Sequence, residues 1–166
     1  MPYRNKLYIA FDGDEDMAYY RILLMWKANE HIDFDFYNAH DLYPANDSSL
    51  SESIKAQLRQ RMLNSKVMLL LVGARTKYLR NFVPYEIRLA RRLDIPMIVA
   101  NINGRRGYDA NRCPSAVTET DTNTVHISFE AKIIKYALDD YPDYYHSHKL
   151  SVRNNQLDRT YVVLVG

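Results

Sequence analysis

The 166-residue chain holds little that would cross-link or interrupt a fold. Its one cysteine, Cys113, has no partner for an internal disulfide, so a reducing, cytoplasmic setting is expected. Five glycines and six prolines exclude collagen-like and linker-rich architectures. Neither sign of charge dominates: 22 Lys and Arg against 20 Asp and Glu give a formal net charge of +2, which argues against a nucleic-acid partner. No stretch approaches the roughly 20 apolar residues of a membrane helix, so no membrane partner is expected. The opening MPYRNKLYIAFDGD has a short apolar run that breaks into Asp12 and does not read as a signal peptide. What the chain does have is 47% hydrophobic and 25% charged residues, the profile of a globular protein with a proper core. The length suits one domain over 1–166, with a core at about 4–140 and an extension at about 141–166. Tyrosine is abundant, at 14 residues, and its apolar body and polar tip suit half-buried faces and pocket walls.

Short apolar runs alternate with helical patterns. Lys6–Phe11 reads as a strand, Asp16–Asn29 as a helix that Asp16 caps, and Phe34–Tyr37 as a second strand. The polar stretch Asn38–Ser51 ends in Ser49-x-x-Glu52, a capping-box pattern, ahead of a stripe of Leu50, Ile54, Leu58 and Met62. Val67–Val72 is six apolar residues without a break, as in a central parallel strand covered on both faces. A helix over Phe82–Leu93 follows, turning Phe82, Tyr85, Leu89 and Leu93 to the core. Strands are expected at Met97–Ala100 and Val125–Phe129, then a helix at Glu130–Tyr141 and an extra strand at Tyr161–Val165. This alternation predicts an α/β fold of the flavodoxin-like kind: a parallel sheet of about five strands, order 2-1-3-4-5, with helices on both faces. In such sheets the ligand crevice opens at the carboxyl ends of strands one and three, where the order reverses. That draws attention to Asp12–Asp16 and to Gly73–Asn81 with the helix after it.

Several uses of this fold fail on the residues present. The loop after strand one is acidic (Asp12, Asp14, Glu15, Asp16) and would repel the phosphate a flavodoxin cradles there. The GxGxxG and GxxxxGK[ST] loops are absent. Strand three ends Leu71-Val72-Gly73 and lacks the acceptor Asp of a phospho-receiver. Two readings of the acidic loop stand: a cap on the first helix, and a site for a cation or for ribose hydroxyls. Glu86, early in the helix after strand three, is either a solvated helical residue or a carboxylate partly desolvated beside Phe82 and Tyr85 at the crevice. His146 and His148 lack the carboxylate-and-His spacing of a metal set. Arg88, Arg91 and Arg92 read as a solvated face, and Trp26 as core.

The run Leu71-Val72-Gly73-x-x-Thr76, followed by Phe82-Val83-x-Tyr85-Glu86-Ile87, resembles the TIR-like proteins of the Thoeris anti-phage system. The opening KLYIAFDGD…YY…W and the block FYNAHDL…DSS are similar to the same family, and the resemblance spans roughly residues 4 to 140. It implies a TIR fold with NAD+ as substrate rather than cofactor, cleavage of the nicotinamide–ribose bond, and a cyclic ADP-ribose-type signal that activates an effector. By resemblance Glu86 is catalytic, and the loop with His40, Asp47 and Ser48 is the one that gates the site. Phe11, Asp12, Asp14 and Tyr85 complete the expected substrate-binding set, although many members carry Ser where this chain has Asp12. A phage-derived trigger and a homo-oligomer are compatible with such a domain, and no metal is expected. The chemistry suits these residues, because nicotinamide leaves as a neutral group and needs no general acid. One carboxylate that accepts from ribose hydroxyls and opposes an oxocarbenium-like charge would suffice, where ordinary glycosidases use two carboxyls. Aromatic walls such as Phe11 and Tyr85 would keep water from a folded-back adenine. The alternative is a TIR-like module that senses or assembles without catalysis, since fold alone does not fix function.

Overall fold

The structure, a computed structural model, describes residues 6–32, 34–38 and 51–148, with the backbone alone at 35–38. The expected strands at its centre form one parallel sheet in the order β2-β1-β3-β4-β5. They are β1 (Lys6–Ala10), β2 (Asp35–Asn38), β3 (Val67–Val72), β4 (Met97–Asn101) and β5 (Thr124–Ser128). The helices are α1 (Met17–Ala28), α2 (Glu52–Leu63), α3 (Phe82–Arg92) and α4 (Ala131–Ser147). This is the α/β arrangement of the TIR and flavodoxin-like folds.

The alternation of side chains along each strand divides the core in two. Leu7 and Ile9 of β1, with Val67, Leu69 and Leu71 of β3, pack on one face against Tyr20 and Leu23 of α1 and Ile134, Leu138 and Tyr141 of α4. Tyr8 and Ala10, with Met68, Leu70 and Val72, pack on the other against Leu58 and Met62 of α2 and Phe82, Val83 and Ile87 of α3. Both faces of β3 are therefore buried, which is why its sequence is apolar at every position. On α3, Phe82 and Leu89 are buried as expected, and Tyr85 and Leu93 pack at the margin of the same core.

Three local readings are corrected. Asp16 stands at the N-cap of α1, but its side chain makes no capping bond there. The cap of α2 is Ser51, whose Oγ accepts from the Ile54 backbone N–H at 3.3 Å, so Glu52 opens the helix instead of closing a box with Ser49. And α4 runs on through the Tyr/His segment to Ser147 with Pro142 inside it. Tyr141 and Tyr145 extend its buried stripe, and the Tyr145 hydroxyl donates to Asp94 Oδ1 at 2.7 Å, tying the helix end to the turn before β4. The strand expected at Tyr161–Val165, and Leu50 of the expected stripe, lie outside the described residues.

Candidate functional site

The reversal of strand order falls between β1 and β3. At their carboxyl ends, Asp12 turns the chain: its Oδ1 accepts from the backbone N–H of Asp14 at 3.0 Å and of Glu15 at 3.4 Å. These bonds are the turn-capping pattern that short Asp side chains favour. Asp14 and Glu15 are exposed, and Arg75 reaches Glu15 at 3.4 Å from the loop after β3. Asp12, Asp14, Glu15, Arg75, Tyr78 and Leu79 line a cleft of about 140 Å³ at this end of the sheet.

Asp16 behaves differently from its neighbours. It is buried, and its carboxylate lies over the backbone of Gly73, so close that any Cβ at that position would collide with it. Thr76 Oγ accepts from the Gly73 N–H at 2.8 Å and also bonds Asp16. Burial, reinforced by the Asp12 and Glu15 carboxylates, raises the Asp16 pKa from 3.8 to about 6 against the pull of Thr76 and Arg112.

Glu86 is the fifth residue of α3 and faces the sheet. It is fully buried, and the Tyr8 hydroxyl donates to its Oε2 from β1. Its neighbour Tyr85 is half-buried; the Tyr85 hydroxyl donates to the Lys55 carbonyl at 3.4 Å and the Lys55 ammonium sits 5.7 Å from the ring centre. Glu86 and Tyr85 thus belong to the α2–α3 side of the sheet. Phe11 belongs to the other side, stacked on Tyr20 with ring centres 5.1 Å apart inside the α1–α4 core. Trp26 also packs there, against Phe129 at 5.1 Å. The structure therefore gathers Asp12 and Asp14 at one cleft, puts Glu86 beneath α3, and gives Phe11 a packing role. His40, Asp47 and Ser48 lie outside the described residues.

His148 stacks on Tyr144 and His146 lies edge-on to Tyr145. Arg91 pairs with Asp121, and Arg88 and Arg92 are exposed. Cys113 is buried, which pushes its thiol up to about 12 and leaves it without thiolate character at neutral pH.

Tyr8 and His126 are among the buried polar residues that the sequence pattern did not single out. Tyr8 sits in an apolar strand, and its signal was the hydroxyl itself, which needs a partner once buried. His126 of β5 is buried against Tyr108, and neither of its ring nitrogens has a hydrogen bond among the described residues. Burial holds its pKa down at about 4, with Asp121 pulling the other way.

A model of the TIR-like domain of Thoeris protein ThsB matches residues 8–107. The chain belongs to this family. The matched stretch runs from Tyr8 through the acidic loop and Glu86 to the loop after β4, so it contains both sides of the β1–β3 crevice. Membership makes this a TIR-like domain of Thoeris anti-phage defence. No curated protein matches the chain. Among the described residues no helix is long and apolar enough to cross a membrane.

Proposed function

We propose that this Thoeris TIR-like domain cleaves the nicotinamide–ribose bond of NAD+ and closes the ADP-ribose remainder into a cyclic nucleotide that activates an effector. The bond from ribose C1′ to the pyridinium nitrogen breaks, and nicotinamide departs neutral with the electron pair. An adenine nitrogen attacks C1′ and its proton passes to solvent; water attacking instead gives the hydrolysed product. Glu86 would accept from the ribose hydroxyls and oppose the oxocarbenium-like charge, a preorganised electrostatic role. Tyr85 and Lys55 would wall the α2–α3 side, while Asp12 and Asp14 would face the substrate at the rim. An effector, a phage-derived trigger and self-assembly are part of the same proposal.

The observation that carries the reading is a carboxylate on α3 beside the strand-order reversal, in a chain of this family. Its complete burial against Tyr8 favours a second reading, in which the Tyr8–Glu86 pair is structural and the domain senses or assembles without catalysis. Nucleotide pools in infected cells separate the two. The catalytic reading expects NAD+ to fall and a species of NAD+ mass less nicotinamide to rise only in cells carrying the chain. Unchanged pools together with intact phage protection would establish the second reading.

A further inference from the structure

The near-balance of charge over the whole chain conceals a segregation. Residues 51–93 hold ten Lys and Arg against two Asp and Glu, leaving twelve against eighteen elsewhere. Of those two acids Glu86 is buried, so Glu52 alone brings a negative charge to the surface of α2 and α3. The cations gather along one groove. The Tyr85 hydroxyl donates to the Lys55 carbonyl and the Lys55 ammonium stands over the Tyr85 ring, which fixes the flanks that α2 and α3 turn towards each other. Arg59 follows Lys55 by four residues, and Arg88 and Arg92 follow Tyr85 by three and seven, spacings that return to the same flank. Lys55 and Arg59 therefore border the α2–α3 groove on one bank, and Arg88 and Arg92 on the other.

Arg59, Arg88 and Arg92 are exposed and make no ion pair among the described residues. Lys55 pairs with Glu52 at 3.1 Å, an exposed contact that competes weakly with another partner. Like charges one turn apart disfavour the helix that carries them. The dipole of α3 offsets this for Arg92 in its last turn, but not for Arg88 above it or for Lys55 and Arg59 on α2. Three of the four cations are guanidinium groups, whose planar fork fits phosphate oxygens two at a time. The exposed large hydrophobics Leu24, Met25, Tyr78 and Tyr136 all lie outside α2 and α3. Tyr85 is half-buried under Lys55, so the groove offers no open platform for unpaired bases and no apolar face for a bilayer. Rigid rows of cations suit a rigid polyanion, and a duplex carries a charge about every 1.7 Å of its axis.

We propose that the α2–α3 groove binds the phosphate backbone of a nucleic-acid duplex without regard to sequence, Lys55 and Arg59 holding it from one bank and Arg88 and Arg92 from the other. This is independent of the catalytic reading, because Glu86 lies on the buried side of α3.

The test is fluorescence anisotropy of the full chain with labelled mixed-sequence duplexes of DNA and of RNA, a single strand, and poly-glutamate, from about 50 to 200 mM salt. At least one duplex is expected to bind with a Kd of about 10⁻⁴–10⁻⁶ M, and the tighter of the two names the source. For four contacts log K should fall against log salt with a slope of about −3 to −4. Arg88→Gln with Arg92→Gln should lessen that slope by about two, and so should Lys55→Gln with Arg59→Gln, with melting temperatures kept. Arg21→Gln, an exposed cation of α1, should leave it unchanged. Should one paired variant fail to fold, the other bank carries the test. No duplex binding, or a slope that the folded paired variants leave intact, overturns the proposal. So does a loss shared equally by Arg21→Gln, which would mean diffuse charge. Tighter binding of the single strand or of poly-glutamate than of either duplex overturns it in favour of another partner.

Discussion

Asp16 and Gly73 constrain each other's identity, because the Asp16 carboxylate occupies the space a Cβ on Gly73 would need. Gly73→Ala must push a short, buried side chain away from Thr76, and overpacking of this kind costs about 1–3 kcal/mol. Urea unfolding should report that loss. Asp16→Ala in the same chain should return part of it, whereas an undiminished loss would place the strain elsewhere. The sequence displayed the acidic loop and made Asp16 a helix cap, a fair inference from Asp before a helical pattern. It could not display Gly73 and Thr76 beside that carboxylate, since they arrive from the far side of the β1–β3 junction. Glu86 was legible as an acid among aromatics, and its bond to Tyr8 was not, for the same reason. Asp12 was legible as a residue of the switch loop, and the structure adds the two backbone N–H groups that its Oδ1 accepts.

Helices and strands were legible where one face is plainly apolar. The run at β3 and the core stripe of α3 gave their elements within a residue, because burial on both sides of β3 and one side of α3 leaves no alternative pattern. Ends were harder. The pattern Ser49-x-x-Glu52 drew the start of α2 two residues early, whereas the backbone at Ser51, extended at φ −78° and ψ 163°, turns its Oγ towards the Ile54 N–H. Ser51→Ala should therefore lower stability by about 1 kcal/mol in thermal melts. No change would mean the 3.3 Å bond contributes nothing. α4 runs past its expected end at Tyr141, because Tyr141 and Tyr145, on either side of Pro142, remain on the core stripe and reward continuation.

At the scale of the whole molecule, two buried groups give stability opposite dependences on pH. Asp16 holds its proton more tightly folded than unfolded, so its contribution falls as pH rises from about 4 to about 6. His126 binds its proton more weakly folded, so its contribution falls as pH drops from about 6.5 to about 4. The windows overlap, and the wild-type melting temperature should be nearly level between them. Asp16→Asn should leave a melting temperature that rises with pH over this range, and His126→Gln one that falls. Two variants with parallel profiles would contradict these assignments. The same molecule holds one carboxylate, Glu86, on which the proposed chemistry depends. The most direct measurement is mass spectrometry of nucleotides from infected cells carrying wild type or Glu86→Gln at equal folded levels. Gln keeps the size of the side chain and can accept from Tyr8, so the fold should persist while the charge that opposes the oxocarbenium is gone. A preorganised charge of this kind is worth roughly 10²–10³ in rate, so the cyclic product should fall by at least about a hundredfold. Product from Glu86→Gln at near wild-type levels would contradict the account.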